Sequence, residues 1–372
     1  MEQTTVVERP PVRQPEFLSR HGWKLLTLAP LLWVVFAVMR YGVDVPFLDQ
    51  WELVPFLDKS YQGQLTLGDL WVQHNEHRIF FPRMLMVGLA HLTGWNTRWE
   101  LVVNLVLGCG IFGVLAWQIQ RTRKELGQEQ LKWAVPACSL VVFSLCQYEN
   151  SLWGWQLQMF MEMLALTGAI VVLAQPRFGW GRLVGAAMLG IVATFSFANG
   201  VWIWPLGVGI LLAVEAKRSE RFMALAAWLL LGFLCMCGYF HGYQKPADHS
   251  PLAAFFLKPI VSAAYILKYV GSVCAQYGDG GALPDDVWGV IFGLAGPATL
   301  FWVGWTVIAK RIAGYQLLLP YFAMGAYSLA SAVLTAVGPG GIRWQHTGRR
   351  RRRGPGRELP DGCCSGLSRS SG

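Results

Sequence analysis

Apolar runs of near membrane-spanning length recur along most of this chain, and polar residues close each of them. A helix needs about 17–25 predominantly apolar residues to cross a hydrocarbon layer about 30 Å thick. On that template the pattern predicts nine membrane helices, at 24–41, 99–118, 133–148, 156–174, 182–198, 200–215, 222–240, 287–309 and 315–337. The fifth and sixth could be one helix, but 182–215 would then extend about 51 Å, far beyond a bilayer. Basic residues at both of its ends place those ends on one side of the membrane, so a hairpin turning at Asn199-Gly200 is expected. The stretch 251–276 carries Lys258 and Lys268 within its apolar pattern and reads as an amphipathic helix on the outer surface rather than a crossing.

Charge placement gives the runs an orientation. Arg9, Arg13, Arg20 and Lys24 precede or open the first run. Arg121, Arg123, Lys124 and Lys132 follow the second, Arg177 and Arg182 the fourth, Lys217, Arg218 and Arg221 the sixth, and Lys310 and Arg311 the eighth. The short loops between, "QYENSLWGWQ" and "FANG", hold no Lys or Arg. Positive charge marks the cytoplasmic side, which predicts a cytoplasmic N-terminal segment 1–23 and two large outer loops, 42–98 and 241–286. No small-residue cleavage site follows the first run, so it reads as a retained membrane helix and not a signal peptide.

Composition agrees. Of 372 residues, 54% are hydrophobic, 14% are charged and 18 are Trp, whereas soluble domains average about 25% charged residues. The expected fold class is therefore all-α, a polytopic helical bundle over 24–337 set in a bacterial inner membrane, with the lipid bilayer as its first partner. The net charge of +9 does not indicate nucleic acid, because residues 338–372 hold eight Arg against Glu358 and Asp361 and supply most of it. Six of the eight Cys, namely Cys109, Cys138, Cys146, Cys235, Cys237 and Cys274, lie in or beside apolar runs and act as small hydrophobes. No CxxC pair has zinc spacing.

The chemistry gathers in the first outer loop, where Asp44, Asp49, Glu52, Asp58, Asp69 and Glu76 accompany the cluster His74-Asn75-Glu76-His77-Arg78. Asp49 and Glu52 share a helix face, beside an apolar strip of Leu48, Trp51 and Val54. Pressed onto a membrane surface, that helix would sink Leu48 and Trp51 into lipid and hold the carboxylates near the headgroups. A partly desolvated carboxylate beside a substrate hydroxyl suits general-base work; a solvated face of an ordinary surface helix is the alternative. His74 and His77 at i, i+3 could offer donors to a divalent metal ion. They could instead bind a phosphate or sugar, with Glu76 among the polar groups and Arg78 as the anion clamp.

The stretch from "FLDQWEL" through "HNEHRIFFPR" to "LAHLTGWNTRWELVVNLVLGCGIFGVL" resembles the start of the GT-C membrane glycosyltransferases, in particular their arabinosyl- and mannosyltransferase branch. The likeness covers about 24–337, with Asp49-Gln50-Trp51-Glu52 standing at the Asp-x-x-Glu motif and Gly94 closing the segment before the second helix. The resemblance implies sugar transfer from a polyprenyl-phosphate-linked donor to an envelope glycan, lipid or protein on the outer face. It implies Asp49 as the catalytic carboxylate, Glu52 as a group orienting acceptor or metal, and Arg78, Arg83, Lys245 and Lys258 as candidates for the donor phosphate. On the same face, Asn150, Trp153 and Trp155 are candidates for stacking on a sugar or for the interfacial aromatic belt.

Two competing readings remain at this stage, a transporter or flippase and a non-catalytic membrane scaffold. A transporter needs ionisable residues within its crossings, and the predicted spans offer few beyond Glu100 and Glu162. After Val337 the composition turns abruptly to Gly, Pro, Ser and Arg without Lys, including five consecutive Arg on the expected outer side. Those residue types are what a GC-rich gene yields out of frame, so a frameshift near Gly338 is expected, with a genuine basic cytoplasmic tail as the alternative.

Overall fold

The computed structural model describes residues 16–245, 252–274, 285–309 and 315–337. The N-terminal segment before Glu16 and the Arg-rich tail from 338 lie outside the described residues, and with them the expected change of frame. Everything regular among the described residues is helical; the β-type pairings are two isolated bridges, His74 with His77 and Arg177 with Glu215.

Helix α1 (Glu16–Tyr41) leads into a compact helical loop, with a 3₁₀ turn at Leu48–Leu53, α2 (Val54–Tyr61), the single turn α3 (Leu67–Leu70) and α4 (Phe80–Thr93). Helix α5 (Arg98–Leu126) runs the length of the bundle, then α6 (Ala134–Val142) and α7 (Tyr148–Leu152) return along it. Next come α8 (Leu157–Leu173), the hairpin α9 (Trp180–Thr194) and α10 (Ile203–Ala213), and α11 (Arg218–Phe240). The chain closes with α12 (Leu252–Leu257), α13 (Pro259–Gly271), α14 (Asp285–Ala309) and α15 (Leu319–Val337).

Among the described residues, seven segments are long and apolar enough to cross a membrane: Gly22–Tyr41, Arg98–Leu126, Glu129–Leu152, Gly154–Leu173, Arg218–Phe240, Val287–Val307 and Tyr315–Val337. The chain is a multi-pass membrane protein, with seven such helices where nine were expected. The difference lies in the α9–α10 hairpin. Its turn falls at 195–202, around the expected Asn199-Gly200, but its legs are only 15 and 11 residues long. At about 1.5 Å per residue they reach about 22 and 17 Å, short of a hydrocarbon layer of about 30 Å. The turn is close-packed: a Cβ on Gly200 would collide with the Ala193 carbonyl, so only glycine fits there.

Segment 251–276 is not among these seven, and its helix α13 packs against α14 and α15. Glycines make this possible. A Cβ on Gly271 would strike the Gly289 carbonyl, and one on Gly293 the Leu267 carbonyl. Gly289 and Gly293 form a small-xxx-small face, the arrangement that lets membrane helices approach backbone to backbone.

Two hydrophobic clusters fix what matters for function. The larger binds α8 to α11 and α15 around Leu166, Ile170, Trp204 and Trp228. The second lies beneath the first loop, where Leu53, Leu57, Leu70, Ile79 and Met86 pack on Trp155 and Leu157 at the start of α8. The loop is therefore anchored to the end of the bundle.

Candidate functional site

The site begins with the 3₁₀ turn. At 3.0 residues per turn, side chains three apart eclipse and the segment has three distinct edges. Gln50 and Leu53 form the buried edge, only 4% and 1% exposed. Leu48 and Trp51, followed by Val54, form an exposed apolar edge, as their spacing led us to expect. Asp49 and Glu52 share the third. Gln50 fixes the turn from within: its Oε1 accepts from the Phe47 N–H at 3.0 Å and its Nε2 donates to Glu100 Oε2 at 2.6 Å. Leu48 itself sits at φ +48°, a region bulky residues rarely occupy.

Across from this carboxylate edge stands His74. Its Nδ1 lies 2.7 Å from Glu52 Oε2, and its Nε2 lies 3.7 Å from Asp49 Oδ2 and 3.3 Å from Asn75 Nδ2. The His74 side chain is 3% exposed, against 41% for Asp49 and 56% for Glu52. Trp155 meets the imidazole edge-on, with centroids 5.1 Å apart. A buried imidazole is thus held by one carboxylate on Nδ1 and turns Nε2 toward a second, solvent-facing carboxylate. Such an array can accept a proton at Asp49 or Nε2 and orient the ring through Glu52.

The turn carrying His74 is held on every side. His74 and His77 exchange backbone hydrogen bonds at 2.8 and 2.7 Å, with Asn75 left-handed at φ +48°, a conformation Asn tolerates well. Arg78 Nη1 donates to the Trp71 carbonyl at 2.8 Å, and its other nitrogens donate to the carbonyls of Tyr239 and His241. Arg83 Nη1 donates to the carbonyls of Leu70 and Val72 at 2.7 and 2.8 Å, while its guanidinium lies 4.5 Å from the Phe56 ring centroid. Burial pulls Arg78 below its usual range and draws Arg83 down to about 10, with the charge of Glu52 opposing the latter shift. Arg83 stays cationic at neutral pH. These two arginines, expected to meet a phosphate, hold the loop backbone through their hydrogen bonds to carbonyls.

The two histidines part company. His77 stacks on Phe197 with centroids 4.1 Å apart, and its Nδ1 accepts from the Ala198 N–H at 3.2 Å. That leaves the proton on Nε2, which faces Glu76 Oε1 at 3.5 Å. His74 points to the carboxylates and His77 to the α9–α10 turn, so the pair does not converge as metal donors. Among the described residues no group of three or more His, Cys, Asp and Glu is arranged to hold a metal ion. Two of the remaining loop acids serve the fold: Asp44 accepts from the Thr97 N–H at 2.7 Å, and Asp69 pairs with Lys59 while capping α3 through Thr66.

On the other side of the HNEHR turn lies a cleft of about 670 Å³ lined by Gln73, Asn75, Arg78, His241, Gln244 and Lys245. Arg78 and Lys245 therefore share one polar recess, with Lys245 exposed at its rim. Asn75 lines this recess and also touches His74, which joins the cleft to the carboxylate–imidazole array. Lys258, at the start of α13, does not line it. Trp153 donates from Nε1 to the Phe47 carbonyl at 3.1 Å and so braces the 3₁₀ turn, while Asn150 lines a separate crevice. Gln50, Gln73, Gln244 and His241 were not singled out by the sequence; only the proximity of Gln50 to Asp49 could have drawn attention to it. Compared with known families, curated proteins and solved structures, the chain matches no family model, no curated protein and no solved structure.

Proposed function

We propose that this protein is an integral membrane glycosyltransferase of GT-C type, moving a sugar from a polyprenyl-phosphate-linked donor to an envelope acceptor on the outer face of a bacterial inner membrane. The observation that carries the reading is the Asp49–His74–Glu52 array beside an exposed apolar edge on one side and a cationic cleft on the other. A lipid-linked phosphosugar needs these three surfaces together: somewhere for its chain to meet lipid, cations for its phosphate, and a base for the acceptor.

In this mechanism the acceptor hydroxyl enters beside Asp49. Asp49 takes its proton as the acceptor oxygen bonds to the anomeric carbon, and the bond from that carbon to the phosphate oxygen breaks, releasing polyprenyl phosphate. Glu52 fixes the imidazole through Nδ1, and His74 Nε2 steadies Asp49 as it gains the proton. Lys245 and Arg78 compensate the phosphate charge that develops on the leaving group. The orientation of the proposal follows from the basic residues Arg123, Lys124, Lys132, Arg177 and Lys217, which gather at the end of the bundle opposite the site.

General-base catalysis contributes about 10²–10⁴ in rate. Asp49→Asn is accordingly expected to cut sugar transfer by at least about a hundredfold while expression and membrane insertion stay normal. Measured in membranes with a radiolabelled lipid-linked sugar, an unchanged rate would remove Asp49 from the mechanism and leave the transferase reading without support.

A further inference from the structure

We propose that α8 and α15 hold a binding site for one monovalent cation between Glu162, Tyr327, Gln158 and Ser331. Glu162 is 1% exposed within a membrane-spanning helix, and Tyr327 Oη donates to its Oε1 at 2.7 Å. None of the ion pairs among the described residues includes Glu162. An intramembrane carboxyl group with no positive partner is costly and, where found, generally marks a functional position.

The helices run antiparallel, so their residues pair in rungs. Gln158 lies one turn before Glu162 on the same face of α8, and Ser331 lies one turn beyond Tyr327 on the same face of α15. Both steps lead toward the end of the bundle that carries the first loop, which sets Gln158 opposite Ser331. Gln158 Oε1 is buried with no hydrogen-bond partner among the described residues, and Ser331 Oγ, also buried, has the Tyr327 hydroxyl beside it. Buried polar atoms nearly always find partners, and here Gln158 Oε1 lacks one on the rung next to a carboxylate.

Every donor offered is an oxygen, which suits a hard cation. A single carboxylate makes the choice of charge: one positive charge leaves the site neutral in a hydrocarbon setting, whereas a divalent ion would leave an uncompensated charge there. The polar stripe continues one turn further to Thr335, against which Tyr269 of α13 stands beside Asn199 of the α9–α10 turn. The site is separate from the carboxylate–imidazole array and does not depend on the transferase reading.

Thermal unfolding of the purified full chain in detergent, followed by tryptophan fluorescence, tests the proposal with NaCl against choline chloride at equal ionic strength. A ligand of the folded state raises the midpoint with the logarithm of its concentration above Kd. Sodium is expected to raise Tm over choline in the wild type, to lose that effect in Glu162→Gln, and to raise it less in Ser331→Ala. Should Glu162→Gln fail to fold, the small Ser331→Ala change carries the comparison. Equal midpoints in sodium and choline, or a sodium effect unchanged in the variants that fold, would overturn the site.

Discussion

The loop separates residues that hold the fold from residues free to act, and the two kinds predict opposite behaviour on substitution. Arg83 is 3% exposed and satisfies two buried carbonyls. Hydrogen bonds to charged groups are worth about 1.5–3 kcal/mol each, so Arg83→Met is expected to lower unfolding free energy by about 3 kcal/mol, read as a clear drop in Tm in detergent. Lys245→Ala, at the exposed rim of the cleft, is expected to leave Tm unchanged and to raise KM for a phosphate-bearing donor several-fold. A fall in Tm as large as that of Arg83→Met would make Lys245 structural. Asp69 predicts a pH effect. Lys59, then the Thr66 cap, hold its carboxyl below the ordinary range. The resulting stabilisation is present above that range and is lost as pH falls below it. Protection of the amides at 67–71, measured as exchange relative to the unstructured rate at the same pH, should therefore fall on acidification, and Asp69→Asn should flatten that dependence. At this scale the carboxylate edge was legible, because Asp49 and Glu52 need only the spacing of three. The role of His74 was not. It stands 22 residues from Glu52 in the chain, and what joins them is a turn whose shape depends on Arg78 reaching the carbonyls of Tyr239 and His241 around the end of α11.

Among the elements, the 3₁₀ turn and α13 show where a hydrophobic pattern informs and where it runs out. A period of three serves an α-helix and a 3₁₀ helix alike over two turns, so Leu48, Trp51 and Val54 announced an exposed apolar edge under either reading. The hairpin of α9 and α10 was visible through length and charge, but the lengths of its legs depend on where a close-packed turn begins. For α13 the pattern was silent, since Lys258 and Lys268 among apolar residues fit a surface helix as well as a packed one. What decides is glycine meeting glycine across two helices far apart in sequence. Gly293→Leu would drive a side chain into the Leu267 backbone, and overpacking of this kind costs about 1–3 kcal/mol. It should lower Tm and increase proteolysis within 252–274; a variant as stable and as resistant as the wild type would mean that α13 does not pack here.

For the molecule as a whole, seven long apolar helices and the anchored loop put the carboxylate–imidazole array at one end and most of the loop-borne basic residues at the other. Long apolar runs made the membrane character legible from the outset. The exact number of crossings was not, because short helices buried among others carry the same composition as spanning ones. The functional account depends on which compartment the array faces, since a lipid-linked donor and an envelope acceptor meet only outside the cytoplasm. Asn75, exposed at the tip of the HNEHR turn, offers the direct probe. In intact cells, Asn75→Cys should react with a membrane-impermeant maleimide before permeabilisation, while Glu129→Cys at the opposite end should react only afterwards. The reverse pattern, with position 75 reached only from the cytosol, would contradict the account.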